Sequence, residues 1–212
     1  MMTSHNLRQQ ILARRDGLPA EQRAAFSIRI MKLLLATPEV HQAASFFVYV
    51  NFRSEVETLP LINHLLEQEK TVTVPWTDCR AKRLLAVRIT DPEQDLAPGY
   101  CNIPEPRLPL REHERFDPSR LDVVIAPGSV FDRHGGRMGY GGGFYDRFLV
   151  QDAPQALRIG LAYDLQLVDR LTLQPHDQLM DLTCTQSAIH RFNREIPHED
   201  HSIVPPPPVS GP

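Results

Sequence analysis

Leu121–Leu149 reads LDVVIAPGSVFDRHGGRMGYGGGFYDRFL. Its first five residues are apolar except for Asp122 and rich in β-branched side chains, the pattern of a short buried strand. Pro127-Gly128 ends that run. A glycine-dense loop follows, with Gly135, Gly136, Gly139, Gly141, Gly142 and Gly143, and Phe144–Leu149 then reads as the opening of a helix. Strand, glycine loop and helix start in succession form an anion cradle. Glycines let the backbone approach a phosphate, amide N–H groups point inward, and the helix dipole favours negative charge. Arg137 adds a fixed cation inside the loop and Asp146 a carboxylate just after it. No Gly-Lys-Ser/Thr follows the glycines, so this is not a Walker A sequence, nor is it a dinucleotide fingerprint in good order. Taken alone, the glycines leave a long flexible loop as the alternative.

The flanking sequence supplies the fold. Ala44–Val50 is a near-continuous apolar strand, Leu59, Ile62, Leu65 and Leu66 recur at helical spacing, and Thr71–Pro75 is a second short strand. Strand, helix, strand at this distance is a βαβ unit, which implies a parallel sheet with a right-handed crossover. Ligands of such sheets gather at the carboxyl ends of the strands, so the Asn51–Glu57 loop is expected beside the glycine loop. Leu84–Ile89, Leu157–Ala162 and Thr183–Ile189 read as further strands, and the proline- and charge-rich Asp91–Pro118 as an extended crossing loop. At the N-terminus, Leu7, Ile11 and Leu12 form a helical stripe ended by Gly17. Pro19 opens a second helix carrying Phe26, Ile30, Leu33 and Leu34, which Pro38 stops. The expected fold is α/β: a single-domain, mostly parallel sheet flanked by helices, with an N-terminal helical hairpin. The domain spans 1–195, and 196–212, ending SIVPPPPVSGP, is expected to be a disordered tail.

Composition narrows the function. The 212 residues suit one domain with a sizeable core, and 42% hydrophobic with 23% charged residues is ordinary for a soluble globular protein. A formal net charge of −3 argues against a general nucleic-acid or membrane-surface binder, so local basic residues must do any phosphate recognition. No apolar run is long enough to span a bilayer, and MMTSHNLRQQILARR lacks a signal-peptide core. Cys79, Cys101 and Cys184 stand far apart, which suggests reduced thiols in a cytoplasmic protein.

The spaced residues Pro127-Gly128, Phe131-Asp132, Gly135, Arg137-x-Gly139-x-Gly141-x-Gly143-Phe144-Tyr145-Asp146-Arg147 resemble the signature loop of the 5-formyltetrahydrofolate cyclo-ligases, also called methenyltetrahydrofolate synthetases. The likeness runs over about residues 7–190. It implies ATP- and Mg2+-dependent conversion of 5-formyltetrahydrofolate, with or without a polyglutamate chain, to 5,10-methenyltetrahydrofolate by a monomeric cytoplasmic enzyme. The γ-phosphoryl of ATP would activate the formyl oxygen, and folate N10 would then attack the activated carbon and expel phosphate. No serine, cysteine or histidine nucleophile is needed, and none stands out. By resemblance, Arg137, Tyr145 and Asp146 are the catalytic candidates. Ser4, Arg8, Arg137, Gly139, Tyr140, Gly141, Gly142, Gly143, Phe144 and Tyr145 would face ATP. Val50, Glu55, Tyr140 and Phe144 would face the folate, and Asp146 and Asp177 would hold magnesium. Glu55 lies in a Glu-x-Glu-Thr match, Leu7-Arg8 end a Lys-x-x-Leu-Arg pattern, and Gly99–Pro106 resembles a Gly-x-x-x-Ile-x-x-Pro element near the substrate.

Two departures remove positive charge. Ser4 stands where that N-terminal pattern has lysine, and Gly142 where many members carry a loop lysine. Charge-assisted phosphate contacts contribute roughly 1.5–3 kcal/mol each, so Arg8, Arg137 and Arg147 would have to compensate. Two other readings share the strand–loop–helix site: a folate- or nucleotide-binding regulatory protein, and a sugar-phosphate isomerase, for which the sequence singles out no general base.

Overall fold

A computed structural model describes residues 3–193. The sequence-predicted tail lies outside the described residues. Four helices come early: α1 (Ser4–Asp16), α2 (Ala20–Leu35), α3 (Pro38–Gln42) and α4 (Leu59–Glu67). The strands are β1 (Ser45–Val48), β2 (Thr71–Asp78), β3 (Arg83–Ile89), β4 (Leu96–Pro98), β5 (Pro104–Pro106), β6 (Val123–Ala126), β7 (Val130–Asp132), β8 (Arg137–Met138), β9 (Leu157–Leu161), β10 (Leu167–Val168), β11 (Leu182–Cys184) and β12 (Ile189–Arg191). Seven of them form the main sheet in the order β12-β11-β9-β6-β1-β2-β3. Its five central strands are parallel, and β3 and β12 close the edges antiparallel. The α/β expectation of a mostly parallel sheet flanked by helices therefore holds.

The strands are apolar on both faces because both faces are covered. Phe46, Val48, Val123, Ile125, Ile159 and Leu161 point to one side, against Ile30 and Leu34 of α2 and Leu61, Ile62 and Leu65 of α4. Phe47, Val124 and Ala126 point to the other, against Phe148, Leu149, Ala153 and Ala156. Full burial of each large apolar side chain contributes about 1.5–3 kcal/mol. The two N-terminal helices part company: α2 covers the main sheet, whereas α1 lays Leu7 and Ile11 against Val130 and Leu171.

Several segments differ from their sequence reading. Thr183–Ile189 is a hairpin rather than one strand. Thr185 N–H bonds Ala188 O at 2.9 Å and its hydroxyl accepts from Ser187 and Ala188, turning the chain between β11 and β12. Pro38 does not end α2, which stops at Leu35; it opens α3, where a missing N–H costs nothing. Asp91–Pro118 is more than a crossing loop. It contains the β4–β5 ribbon, held to β2 by the buried Glu105, which accepts from Thr77 N–H at 3.0 Å and meets Arg111 at 3.5 Å. The first half of the glycine loop is likewise ordered, with β7 pairing antiparallel to β8 and parallel to β10 in a second, three-stranded sheet.

Candidate active site

At the carboxyl ends of β1 and β6 the chain makes two loops, and the structure brings them into contact. The second begins at the β7–β8 hairpin, which Asp132 organises. One carboxylate oxygen accepts from the backbones of His134 (2.8 Å) and Gly136 (2.7 Å), and the other accepts from Leu171 (2.8 Å). A Cβ at Gly136 would lie 2.6 Å from that carboxylate, so only glycine fits. The hairpin then aims Arg137 inward. Its guanidinium donates to Pro127 O at 3.1 Å and to Asp146 Oδ1 at 2.7 Å, forming an ion pair with side chains only 3% and 15% exposed. The same Asp146 oxygen accepts Gln178 N–H at 3.2 Å, which docks the Pro175–Asp181 turn against the site.

Gly141 (φ 100°) and Gly143 (φ 63°) turn the chain through the left-handed region, while Gly142 does not. Gly143 caps a four-residue helical turn, Phe144–Arg147, which widens into a π-turn over Phe148–Asp152. Arg147 straps this turn outward, donating to Gly142 O and Lys82 O at 2.9 Å each. A cavity of about 400 Å³ opens beside Gly141, Gly142, Gly143, Asp146, Arg147 and His176. Arg8 approaches the same glycines from α1, with its guanidinium 3.7 Å from where a Cβ on Gly141 would sit. Its Nε is buried without a hydrogen-bond partner among the described residues. Ser4 stands exposed at the first position of α1.

The other loop presents Glu55, whose side chain is buried. One oxygen accepts Phe52 N–H at 2.8 Å and the other the Tyr140 hydroxyl at 2.7 Å. Burial raises the Glu55 carboxyl above its ordinary range, opposed by the Tyr140 and Phe52 hydrogen bonds and by the Arg15 charge. Burial also raises Tyr140 and Tyr145, assisted in both by the Glu55 charge. Arg15 closes the group, donating to Tyr140 Oη (2.9 Å), Ser54 Oγ (3.0 Å) and Gly128 O (3.5 Å). Ser54 in turn donates to Asp16 in a short hydrogen bond. Tyr145 lies between the two halves, 5.8 Å from the Arg137 guanidinium and tilted against Phe47.

Glu55, Tyr140, Tyr145, Arg137, Asp146, Arg8 and the glycines are thus brought to one end of the sheet. Phe144 packs under Arg147 at 5.3 Å, and Val50 lies in the core below the Glu55 loop. Asp177 sits one residue from Gln178, but its carboxylate accepts Gln174 N–H at 2.7 Å and stands 3.9 Å from His176. Among the described residues no cluster of three or more His, Cys, Asp or Glu is arranged to hold a metal. Sequence reasoning missed Arg15 and Asp132 as site builders. Arg15 follows Ile11 by four residues, so it shares the buried helical face, a signal masked by its neighbour Arg14 and by its place at a helix end.

A second concavity, at the amino ends of β1, β6 and β9, is lined by Ala44, Asp122 and Leu157 among others. Asp122 is occupied there in binding the backbones of Ala44 and Ser45, a structural duty.

The sequence model described as the 5-formyltetrahydrofolate cyclo-ligase family matches residues 1–186. The chain belongs to this family. Among curated cyclo-ligases, the Escherichia coli K12 protein is 32% identical over 180 residues, covering 84% of this chain and 98% of its own. The mouse cyclo-ligase is 25% identical, covering 82% and 89%. The NMR structure of Aquifex aeolicus 5,10-methenyltetrahydrofolate synthetase superposes with a TM-score of 0.78 at 30% identity, over 93% of this chain and 98% of that one. Cyclo-ligases are enzymes, so the enzyme reading of the sequence stands, and the sugar-phosphate isomerase alternative loses its support. No helix among the described residues is long and apolar enough to cross a membrane.

Proposed function

We propose that the protein cyclises 5-formyltetrahydrofolate to 5,10-methenyltetrahydrofolate, consuming ATP in the presence of Mg2+ and releasing ADP and phosphate. The observation that carries this reading is the 2.7 Å contact between Tyr140 and Glu55, which joins the glycine loop to the carboxylate that the resemblance assigns to folate. Phosphoryl transfer asks the protein for positioning and charge stabilisation rather than a nucleophile. The Arg8 guanidinium, with Nη1 3.7 Å from where a Cβ on Gly141 would sit, would donate to a phosphate oxygen, and the amides of Gly139–Gly143 would serve the rest.

Arg137 spends two of its donors on Asp146 and Pro127, which fixes the Asp146 carboxylate, and its buried Nε has no hydrogen-bond partner among the described residues. Asp146 uses Oδ1 for both protein contacts, and Asp146 and Asp177 are the carboxylates that would hold magnesium. This suits a hard cation that takes one or two carboxylates and keeps waters. Bound there, magnesium would neutralise charge on the phosphates. On the folate side, the Glu55 carboxylate would accept from the pterin, and Phe144 and Tyr145 would flank its flat ring. The formyl oxygen takes the γ-phosphoryl as ADP departs. Folate N10 then attacks the same carbon, phosphate leaves with the oxygen, and the N10 proton is lost to solvent.

Phosphate release from ATP should require 5-formyltetrahydrofolate and Mg2+ together. A rate unchanged by leaving out the folate would defeat this reading. Tight folate or nucleotide binding with no release at all would favour the regulatory alternative, for which the missing lysines at Ser4 and Gly142 are the motive.

A further inference from the structure

Arg15 is 1% exposed and carries a permanent charge. Buried charges are ordinarily paired. Here every acceptor is neutral: a serine hydroxyl, a backbone carbonyl and the Tyr140 hydroxyl. Among the described residues no carboxylate forms an ion pair with it within 4.0 Å. On the other side of Tyr140 sits Glu55, an equally buried anion held by one backbone N–H and the same hydroxyl. The tyrosine oxygen thus stands between a buried cation and a buried anion, bonded to each. The residue is 49% exposed and springs from the glycine loop next to Gly141, so its hydroxyl is tied while the residue as a whole is not packed away.

We infer that Tyr140 is a movable tie between the two substrate sites and that Arg15 is the cation it covers, released to the nucleotide phosphates when folate takes Glu55. The inference rests on the folate-side role of Glu55 and the phosphate-side role of the glycine loop proposed above. Glu55 is buried with Phe52 N–H on one oxygen and the Tyr140 hydroxyl on the other, so a pterin donor gains the carboxylate by displacing the side-chain hydroxyl rather than the backbone N–H. Once the hydroxyl leaves, Arg15 loses an acceptor in a place closed to bulk water, and an anionic phosphate oxygen is a stronger replacement than any neutral one. A positive charge then reaches the glycine loop, where Ser4 and Gly142 bring none. Whichever ligand arrives first breaks the tie, and the second binds without that cost. The coupling is therefore positive, and linkage makes it equal in both directions.

Calorimetry on the full chain tests this, using 5-formyltetrahydrofolate and a non-hydrolysable ATP analogue with Mg2+. In the wild type each ligand should tighten the other by the same factor, at least about fivefold. In Tyr140→Phe the factor should fall towards one, and nucleotide affinity without folate should rise towards the folate-saturated wild-type value. Arg15→Gln should abolish the factor by removing the cation; should that buried substitution prevent folding, the half-exposed Tyr140 still decides. A wild-type factor of one, or a Tyr140→Phe factor equal to wild type, overturns the tie. If the wild type binds neither ligand, the site assignment itself fails and the tie falls with it.

Discussion

Arg137 and Asp146 stand or fall as a pair, because Arg137 is buried, Asp146 is partly buried and each is the other's charged partner. Removing one half of such a pair costs about 3–5 kcal/mol, and at this chain length each kcal/mol lowers the melting temperature by roughly 2–4 °C. Arg137→Ala should therefore melt at least about 6 °C lower and lose turnover, and adding Asp146→Asn should restore part of the melting temperature but none of the turnover. Thermal melts of the three variants decide it; an Arg137→Ala melt equal to wild type would contradict the buried pair. At Gly142 the backbone has ordinary φ, so Gly142→Lys meets no backbone strain, but its Cβ would lie 2.7 Å from the Phe144 ring. We expect tighter ATP binding once that ring shifts. Gly143→Ala, by contrast, must hold a left-handed φ and should cost about 1–2 kcal/mol with no gain in binding. For Glu55, the folded protein holds the proton more tightly than the unfolded chain does, since burial raises its carboxyl from the ordinary 4.5. Its contribution to stability should thus decline as pH rises from that ordinary value to the raised folded one, and be flat on either side. Melting curves of wild type and Glu55→Gln across this window should diverge, with the variant lacking the decline; parallel curves would count against the buried carboxylate.

The β7–β8 hairpin turns on a single buried carboxylate. Asp132→Ala would leave the N–H groups of His134, Gly136 and Leu171 without acceptor, at about 1–3 kcal/mol for each group that water cannot reach. Hydrogen exchange at those three amides should accelerate together, well before exchange in β1 and β6; unchanged protection would mean the hairpin holds by β-pairing alone. This hairpin also marks a limit of the sequence. Glycine density in Gly135–Gly143 signals close backbone approach without saying which approaches are to protein and which to ligand. Gly136 and Gly128 turn out to make room for Asp132 and Phe131, whereas Gly141 faces Arg8 and the cavity. The parallel strands were legible because Phe46–Val48 and Val123–Ala126 are apolar on both faces. The β11–β12 turn was not, because Thr185-Gln186-Ser187 contains neither glycine nor proline, and its bonds converge on one threonine, through its backbone N–H and its hydroxyl.

At the scale of the molecule, parallel order in β9-β6-β1-β2 sends the loops after β1 and β6 to the same edge. That convergence follows from strand pattern alone, so the meeting of the Glu55 loop with the glycine loop was within reach of the sequence. The closing of the site by α1 was not. Arg8 and Arg15 arrive through the packing of Ile11 on Val130 and Leu171, residues more than a hundred positions away that no local pattern connects. The site therefore draws on the main sheet, the three-stranded sheet and α1, with the groups proposed for the folate and phosphate sides meeting at Tyr140. The most direct test of the central claim is the appearance of the methenyltetrahydrofolate absorbance band when the purified protein meets 5-formyltetrahydrofolate. The account predicts that the band grows only with ATP and Mg2+ both present, with one ADP formed per methenyl product. Growth of the band without ATP, or ADP formed without it, would contradict the account.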